Sequence, residues 1–127
     1  MKIQKYGTAG DIDELIAVKE SIDRLADTHG SNSPLVARAD LHDTGDAFLL
    51  HVEVPGVSQG DLEVAVQGDE LLIAGIRDGI LADATPVFTE RPVGPFQRTI
   101  RLPGPVDPEQ VTAHLQAGLL TVNLPKA

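Results

Sequence analysis

Two kinds of hydrophobic periodicity divide the chain near Pro34. In residues 11–29 the apolar side chains recur three and four positions apart, which is the spacing of one face of an α-helix. Acidic residues occupy the first turn and Gly30 follows the last, as is typical of helix ends. The pattern predicts an N-terminal arm, residues 1–33, with an amphipathic helix over about 11–29 and a short linker. Its apolar stripe comprises Ile12, Leu15, Ile16, Ile22, Leu25 and Ala26.

After Pro34 the period changes to the alternation of β-strands. Phe48, Leu50, Val52 and Val54 share one face of a strand that ends at Pro55-Gly56. Two hairpins follow, one that turns at Gly68-Asp69 and one that turns at Ala117-Gly118, with a further strand in "FQRTIRLP" between them. Short strands with regular turn signals and no βαβ alternation predict an all-β sandwich over residues 34–127.

The segment 78–95 interrupts this regular spacing. It is long, and glycine and proline break it repeatedly, so we expect a loop that carries one short strand near Val87-Phe88. The chain closes on Leu120, Val122 and Leu124 in alternation, which predicts a terminal strand held in the sheet.

Composition and charge narrow the function classes. The 127 residues carry a net charge of −9, which argues against nucleic acid and anionic membrane surfaces as partners. Residues 91–127 are locally basic, with four basic side chains against two acidic ones. The sequence has no apolar run of membrane-spanning length and no signal-peptide pattern. Because cysteine is absent, a reducing compartment is compatible, and we expect a cytoplasmic location.

Candidate chemistry is sparse. The four histidines lack metal-ligand spacing, and Asp40, Asp43 and Asp46 are typical of a polar turn rather than of a calcium loop. Nucleophile-elbow, P-loop and dinucleotide motifs do not occur. We therefore predict no catalytic, metal-binding or cofactor-binding residues, no cofactor and no enzymatic activity.

The segment "ERPVGPFQRTIRLPGPVDPEQVTAHLQAGLLTVNLPK" resembles the α-crystallin domain of the small heat-shock proteins (Hsp20-like), bacterial type. Upstream, "VEVPGVSQGDLEVAVQGDELLIAG" resembles the same domain's strand, Pro-Gly turn and acidic hairpin, so the likeness spans about residues 35–126. The matching positions are Glu90, Arg91, Gly94, Phe96, Arg98, Ile100, Leu102, Pro103, Val106, Asp107, Ala113, Gly118, Leu119, Leu120, Val122, Leu124, Pro125 and Lys126.

The resemblance implies an immunoglobulin-like β-sandwich and an ATP-independent holdase that binds unfolding proteins and suppresses their aggregation. The partners it implies are non-native client polypeptides, a second copy of the chain and ATP-dependent chaperones downstream. A p23-like co-chaperone module, which binds a folded partner, is the alternative. The "F-x-R-x-I-x-L-P" and "A-x-x-x-A-G-L-L" elements and the long loop favour the small heat-shock interpretation.

The resemblance also implies a homodimer, in which loop 78–95 of one subunit pairs with the other. Parity with Phe96 and Ile100 predicts a partly buried Arg98, paired with Glu90 or with an acid of the facing subunit. Arg101 resembles the family's interface arginine. The alternative is an unpaired surface loop. The predicted dimer-interface residues are Thr85, Val87, Phe88, Glu90, Arg98 and Arg101.

Two further surfaces follow from the resemblance. In the family a C-terminal tail fills a groove between edge strands, which would be lined here by Leu62, Val64, Val66, Val111, Ala113 and Leu115. The chain ends three residues after Leu124, so we expect this groove to be open to clients and the assembly to be a dimer or similarly small. The alternative is that these six residues are sandwich core. The predicted N-terminal client contacts are Ile12, Leu15, Ile16, Ile22 and Leu25.

Overall fold

Turns with backbone in the left-handed region set the pairing of neighbouring strands. A computed structural model of the protein describes the backbone of residues 2–6 and the whole of residues 37–79 and 81–127. Gly68 (φ 60°) turns one predicted hairpin, and Ala117 (φ 53°) and Gly118 (φ 78°) turn the other. Such turns match the twist of the strands they join. Both predicted hairpins are therefore confirmed.

The described strands form two four-stranded sheets, and the predicted all-β sandwich is confirmed. The strands are β1 (Lys2–Tyr6), β2 (Ala39–Asp43), β3 (Ala47–Glu53), β4 (Leu62–Gln67), β5 (Glu70–Arg77), β6 (Gly94–Arg101), β7 (Thr112–Gln116) and β8 (Leu119–Pro125). One sheet has the order β1-β4-β5-β6 and the other the order β2-β3-β8-β7. All described pairs are antiparallel except β1 with β4, which is parallel. Short 3-10 helices lie at Gln59–Asp61 and Pro108–Gln110.

Aliphatic side chains from both sheets fill the interior. The face of β3 that alternation predicted to be apolar points inward and is buried, and the inward face of β8 lies against it. Two phenylalanines, Phe48 and Phe96, contribute the aromatic part of this core. The largest fully buried side chains are Leu50, Leu62, Leu71, Leu72, Ile73, Leu120 and Leu124.

The structure differs from the sequence prediction in two places, and a third part of the prediction lies on residues that it does not describe. Strand β1 was not predicted, and it lies in the segment assigned to an N-terminal arm. Within residues 81–93 the structure contains turns but no strand, so the short strand expected near Val87-Phe88 is not formed in the single chain. The predicted helix over 11–29 and the linker after it lie outside the described residues.

Gly75 in β5 is required by a close approach of its neighbours. A Cβ atom at this position would lie 2.8 Å from the Asp61 carbonyl oxygen and 2.9 Å from the Phe96 ring. We expect Gly75→Ala to lower the free energy of unfolding by about 1–3 kcal/mol, because the packed interior must shift. Urea denaturation measures the change.

Gly60→Ala is the matched control, since a Cβ there meets nothing within 4 Å. We expect it to change the unfolding free energy by less than about 0.5 kcal/mol. Equal urea midpoints for the two variants would contradict the close-packing account.

Candidate interaction surfaces

Strand β2 is an edge of its sheet among the described residues. It pairs with β3 on one side, and no described strand pairs with its other side. Contacts with the end of β8 fix the end of β2: Lys126 Nζ lies 2.9 Å from Asp43 Oδ1, and Lys126 N donates to the Asp46 carbonyl oxygen at 3.0 Å. The edge is thus held rigidly while its outer backbone groups are available to another strand.

The long loop carries three of the four large exposed apolar side chains of the described residues, and the fourth is Leu119 in β8. Val87 is 95% exposed and Phe88 is 78% exposed, and Leu81 is exposed as well. The loop encloses a cleft of about 610 Å³, whose lining includes Leu81, Pro86, Phe88 and Val93. Apolar side chains that cluster on a surface mark sites of interaction more often than scattered ones do.

Positive charge lies at the base of this loop. Arg77 Nη1 donates to the Pro92 carbonyl oxygen at 3.3 Å, and Arg77 Nε is buried without a hydrogen-bond acceptor among the described residues. Burial, and next the nearby charge of Arg91, lower the pKa of the Arg77 guanidinium, which nevertheless stays protonated at neutral pH. The loop therefore has a positively charged base, at Arg77 and Arg91, and an apolar tip.

Of the two arginines of β6, Arg98 lies in a different environment from the one predicted. Arg98 was expected to be partly buried, but it is exposed in the single chain. Its Nη1 donates to the Ala37 carbonyl oxygen at 3.0 Å, because β6 is an edge strand and Arg98 reaches past the interior to the start of β2. Arg101 is 81% exposed and lies 3.5 Å from Asp69 Oδ2, an ion pair that solvent weakens.

The predicted groove residues divide between core and surface. Leu62, Val64, Val66 and Val111 are at most 1% exposed and belong to the interior, as the core alternative held. Ala113 and Leu115 are half-buried and pack against that interior. Backbone pairing also closes the edge of β4, because β1 runs parallel to it from Lys2 opposite Glu63 to Tyr6 opposite Gln67. The expectation of an open groove is thus corrected.

The remaining predicted site residues are placed as follows. Thr85 and Glu90 lie exposed on the loop beside Val87 and Phe88. Ile12, Leu15, Ile16, Ile22 and Leu25 lie outside the described residues. Within residues 37–79 and 81–127, no group of three or more His, Asp or Glu side chains is placed to hold a metal ion. In the same ranges no helix is long and apolar enough to cross a membrane.

Residues 40–127 match the model of the Hsp20/alpha crystallin family. The chain belongs to this family. It is 35% identical to small heat shock protein C4 of Rickettsia felis over 101 residues, which are 78% of this chain and 62% of that protein. It is likewise 35% identical to heat shock protein 16 of Schizosaccharomyces pombe over 101 residues, 76% of this chain and 68% of that protein.

Solved structures of family members share the sandwich. Heat shock protein 16.0 of Schizosaccharomyces pombe superposes with a TM-score of 0.68 at 33% identity, over 74% of this chain and 89% of that one. The hspA protein of Xanthomonas axonopodis gives 0.64 at 28% identity, over 74% and 96% of the two chains. The chain spans about six tenths of the length of several curated relatives that it matches.

Two features of these surfaces carried little sequence signal. The pairing of β1 with β4 joins segments about sixty residues apart, and no turn signal marks a parallel pair of this kind. The cationic base of the loop depends on Arg77 and Arg91 approaching each other across the loop. The basic excess of residues 91–127 was the one indication of it.

The Asp43 carboxylate reports the contact between β2 and β8. A hydrogen bond from the Gly45 N–H, and next the Lys126 ammonium, lower the pKa of Asp43 below its ordinary value. Its contribution to stability is therefore present above that ordinary value and is lost as pH falls through the lowered pKa. We expect Lys126→Gln to raise the Asp43 pKa only part of the way back, since Gly45 still donates; NMR titration measures it.

Arg101→Gln is the control for this titration, because Arg101 pairs with Asp69 and lies outside the Asp43 contact. It should leave the Asp43 midpoint where it is. A Lys126→Gln variant with an unmoved Asp43 midpoint would show that the ammonium does not act on this carboxyl.

Proposed function

We propose that the chain is an ATP-independent holdase that binds unfolding polypeptides and suppresses their aggregation under stress. Membership of the Hsp20/alpha crystallin family supports this, and the named relatives carry heat-shock names. They favour this proposal over the p23-like alternative. A holdase needs no catalytic group, so the proposal includes no enzymatic activity and no cofactor.

The observation that carries the proposal is the apolar tip of the long loop. Leu81, Val87 and Phe88 stand exposed on the long loop, 78–95. Burying such surface against the apolar side chains of an unfolding protein gains about 25 cal/mol per Å². The net charge of −9 then keeps the loaded complex apart from others of its kind.

We also propose a homodimer in which this loop pairs with the free edge of β2 in the partner subunit, so that its apolar tip meets clients when the subunits separate. Two surfaces of opposite charge support this pairing: the edge strand β2 carries the exposed Asp40, and the apolar loop stands above Arg77 and Arg91. Edge pairing satisfies backbone groups that otherwise invite aggregation. Glu90, Arg98 and Arg101 are proposed to lie at this interface, with Arg98 paired to a carboxylate there.

The same proposal places the chain in the cytoplasm, with ATP-dependent chaperones as receivers of its clients. The cysteine-free composition is compatible with that compartment.

Heat-induced aggregation of a model client without ATP tests the holdase. We expect light scattering to fall in proportion to added chain, because each client-bound copy removes apolar surface from aggregation. An equal mass of an inert globular protein is the control. Unchanged scattering at several-fold excess of the chain would refute the proposed function.

A Val87→Ser, Phe88→Ser double variant tests the loop as the dimer contact. We expect its dimer dissociation constant to rise at least about tenfold in sedimentation equilibrium, since buried apolar anchors dominate such interfaces. Leu119→Ser, which removes a partly exposed leucine outside the loop, is the matched control. A dimer equally strong in both variants would remove the loop from the interface.

A further inference from the structure

Two arginine side chains converge above the Pro55-Gly56 turn that follows β3. Arg77 is the last residue of β5, and Arg91 lies near the end of the long loop. Gly56 has no side chain, and the position that its Cβ atom would take lies 3.6 Å from Arg77 Nε and 3.6 Å from Arg91 Nη2. The two guanidinium groups therefore border one space that the glycine leaves open.

The backbone at Gly56 makes this open space a fixed feature of the turn. Its φ of 83° lies in the left-handed region, which residues with a Cβ atom rarely adopt. Val57 N donates to the Val54 carbonyl oxygen at 3.2 Å and closes the turn around it. The turn thus requires glycine for its own geometry, and the same glycine keeps the space between the arginines free of a side chain.

A single described contact orients the Arg77 guanidinium. Its Nη1 donates to the Pro92 carbonyl oxygen at 3.3 Å, which joins the end of β5 to the loop that returns to β6. Its Nε, the atom nearest to the open space, donates to no acceptor among the described residues. A guanidinium carries five N–H donors in a fixed planar fork. The described chain therefore leaves most of the donors of Arg77 without an acceptor.

The two guanidinium groups carry charges of the same sign. Burial is the larger cause of the lowered pKa of Arg77, and the charge of Arg91 is the second. Within residues 37–79 and 81–127, neither guanidinium forms an ion pair with a carboxylate. Neighbouring like charges disfavour each other's charged form. An anion in the space between them would relieve that repulsion and accept hydrogen bonds from both sides.

The spacing and the charge of the pair suit a phosphate. Because Arg77 Nε and Arg91 Nη2 each lie 3.6 Å from one point, they are at most twice that distance apart. A hydrogen bond from guanidinium to phosphate is about 2.8 Å long, so one tetrahedral anion with a donor on each side bridges such a gap. A phosphate group carries close to two negative charges at neutral pH, which matches two cations, whereas a carboxylate matches one.

We propose that Arg77 and Arg91 form a binding site for a phosphate dianion above the Pro55-Gly56 turn. Each guanidinium donates to oxygens of the same phosphate, and the bound anion ties the end of β5 to the returning loop. Binding of this ligand is a property of the folded chain and does not depend on holdase activity. In the proposed homodimer, carboxylates of the partner's β2 edge would compete for the same guanidinium groups, a consequence that rests on that proposal.

The phosphate has two possible sources, the free ion and the end group of a small organic molecule. Arg91 also lines the cleft of the long loop, together with Leu81, Phe88 and Val93. An organic group attached to the bound phosphate would lie beside these apolar side chains and bury part of its surface there. Inorganic phosphate and phenyl phosphate therefore distinguish the two sources.

Isothermal titration calorimetry of the full chain with each phosphate tests the site. Sodium chloride holds the ionic strength constant, because salt screens exposed charges. We expect one phosphate per chain. Arg91→Gln should raise the dissociation constant at least about tenfold, since it removes charge-assisted hydrogen bonds. Arg91→Lys keeps the charge but loses the planar fork, and its affinity should lie between those of the natural chain and Arg91→Gln.

Arg101→Gln is the matched control. Arg101 is an exposed arginine paired with Asp69, and it lies opposite Glu70, at the other end of β5 from Arg77. The substitution removes the same charge and should leave the dissociation constant for phosphate unchanged. Acetate is the control ligand and should bind at least about tenfold more weakly than phosphate, because it forms fewer charge-assisted hydrogen bonds.

Three results would overturn the site. The first is the lack of saturable binding of either phosphate. The second is equal weakening by Arg91→Gln and Arg101→Gln, which would show that only the overall charge of the surface matters. The third is binding of acetate as tight as that of phosphate. With the site in place, tighter binding of phenyl phosphate assigns it to a phosphate monoester, and tighter binding of inorganic phosphate assigns it to the free ion.

Discussion

The unpaired edges of the two sheets are the constraint that organises this molecule. A sandwich of open sheets leaves rows of unpaired backbone N–H and C=O groups at each edge, and those groups can form hydrogen bonds with another strand. Here β1 satisfies the edge of β4 through parallel pairing, and the close of β8 secures the end of β2. The other side of β2 has no strand partner among the described residues, and the same chain also carries an exposed apolar loop. The two surfaces proposed for assembly are thus this free edge of β2 and the exposed apolar loop.

A protein that exposes apolar side chains must keep its own fold secure. The interior does this with tightly packed leucine, valine and isoleucine side chains from both sheets, and the loop that carries the exposed side chains lies outside that interior. Gly75 shows how tightly neighbouring segments of one sheet pack, because it leaves room for the Asp61 carbonyl oxygen and the Phe96 ring. The packed interior and the most exposed apolar side chains therefore occupy different segments of the described chain.

The sequence predicted the parts of this structure that depend on local pattern. Alternation located β3, and turn residues located both hairpins, because Gly68 and Gly118 adopt backbone conformations that other residues rarely do. Non-local features escaped it. The partner of β1 lies far along the chain, and the exposure of Arg98 depends on how the sandwich edge meets Ala37.

The position of β1 has a spectroscopic consequence. The chain has no tryptophan and a single tyrosine, Tyr6, which is the last residue of β1. Intrinsic fluorescence excited at the aromatic band therefore originates almost wholly at the strand that closes the β4 edge, while the rest of the domain is silent. In this protein, ultraviolet emission is a site-specific probe of one strand, supplied by the natural sequence without any added label.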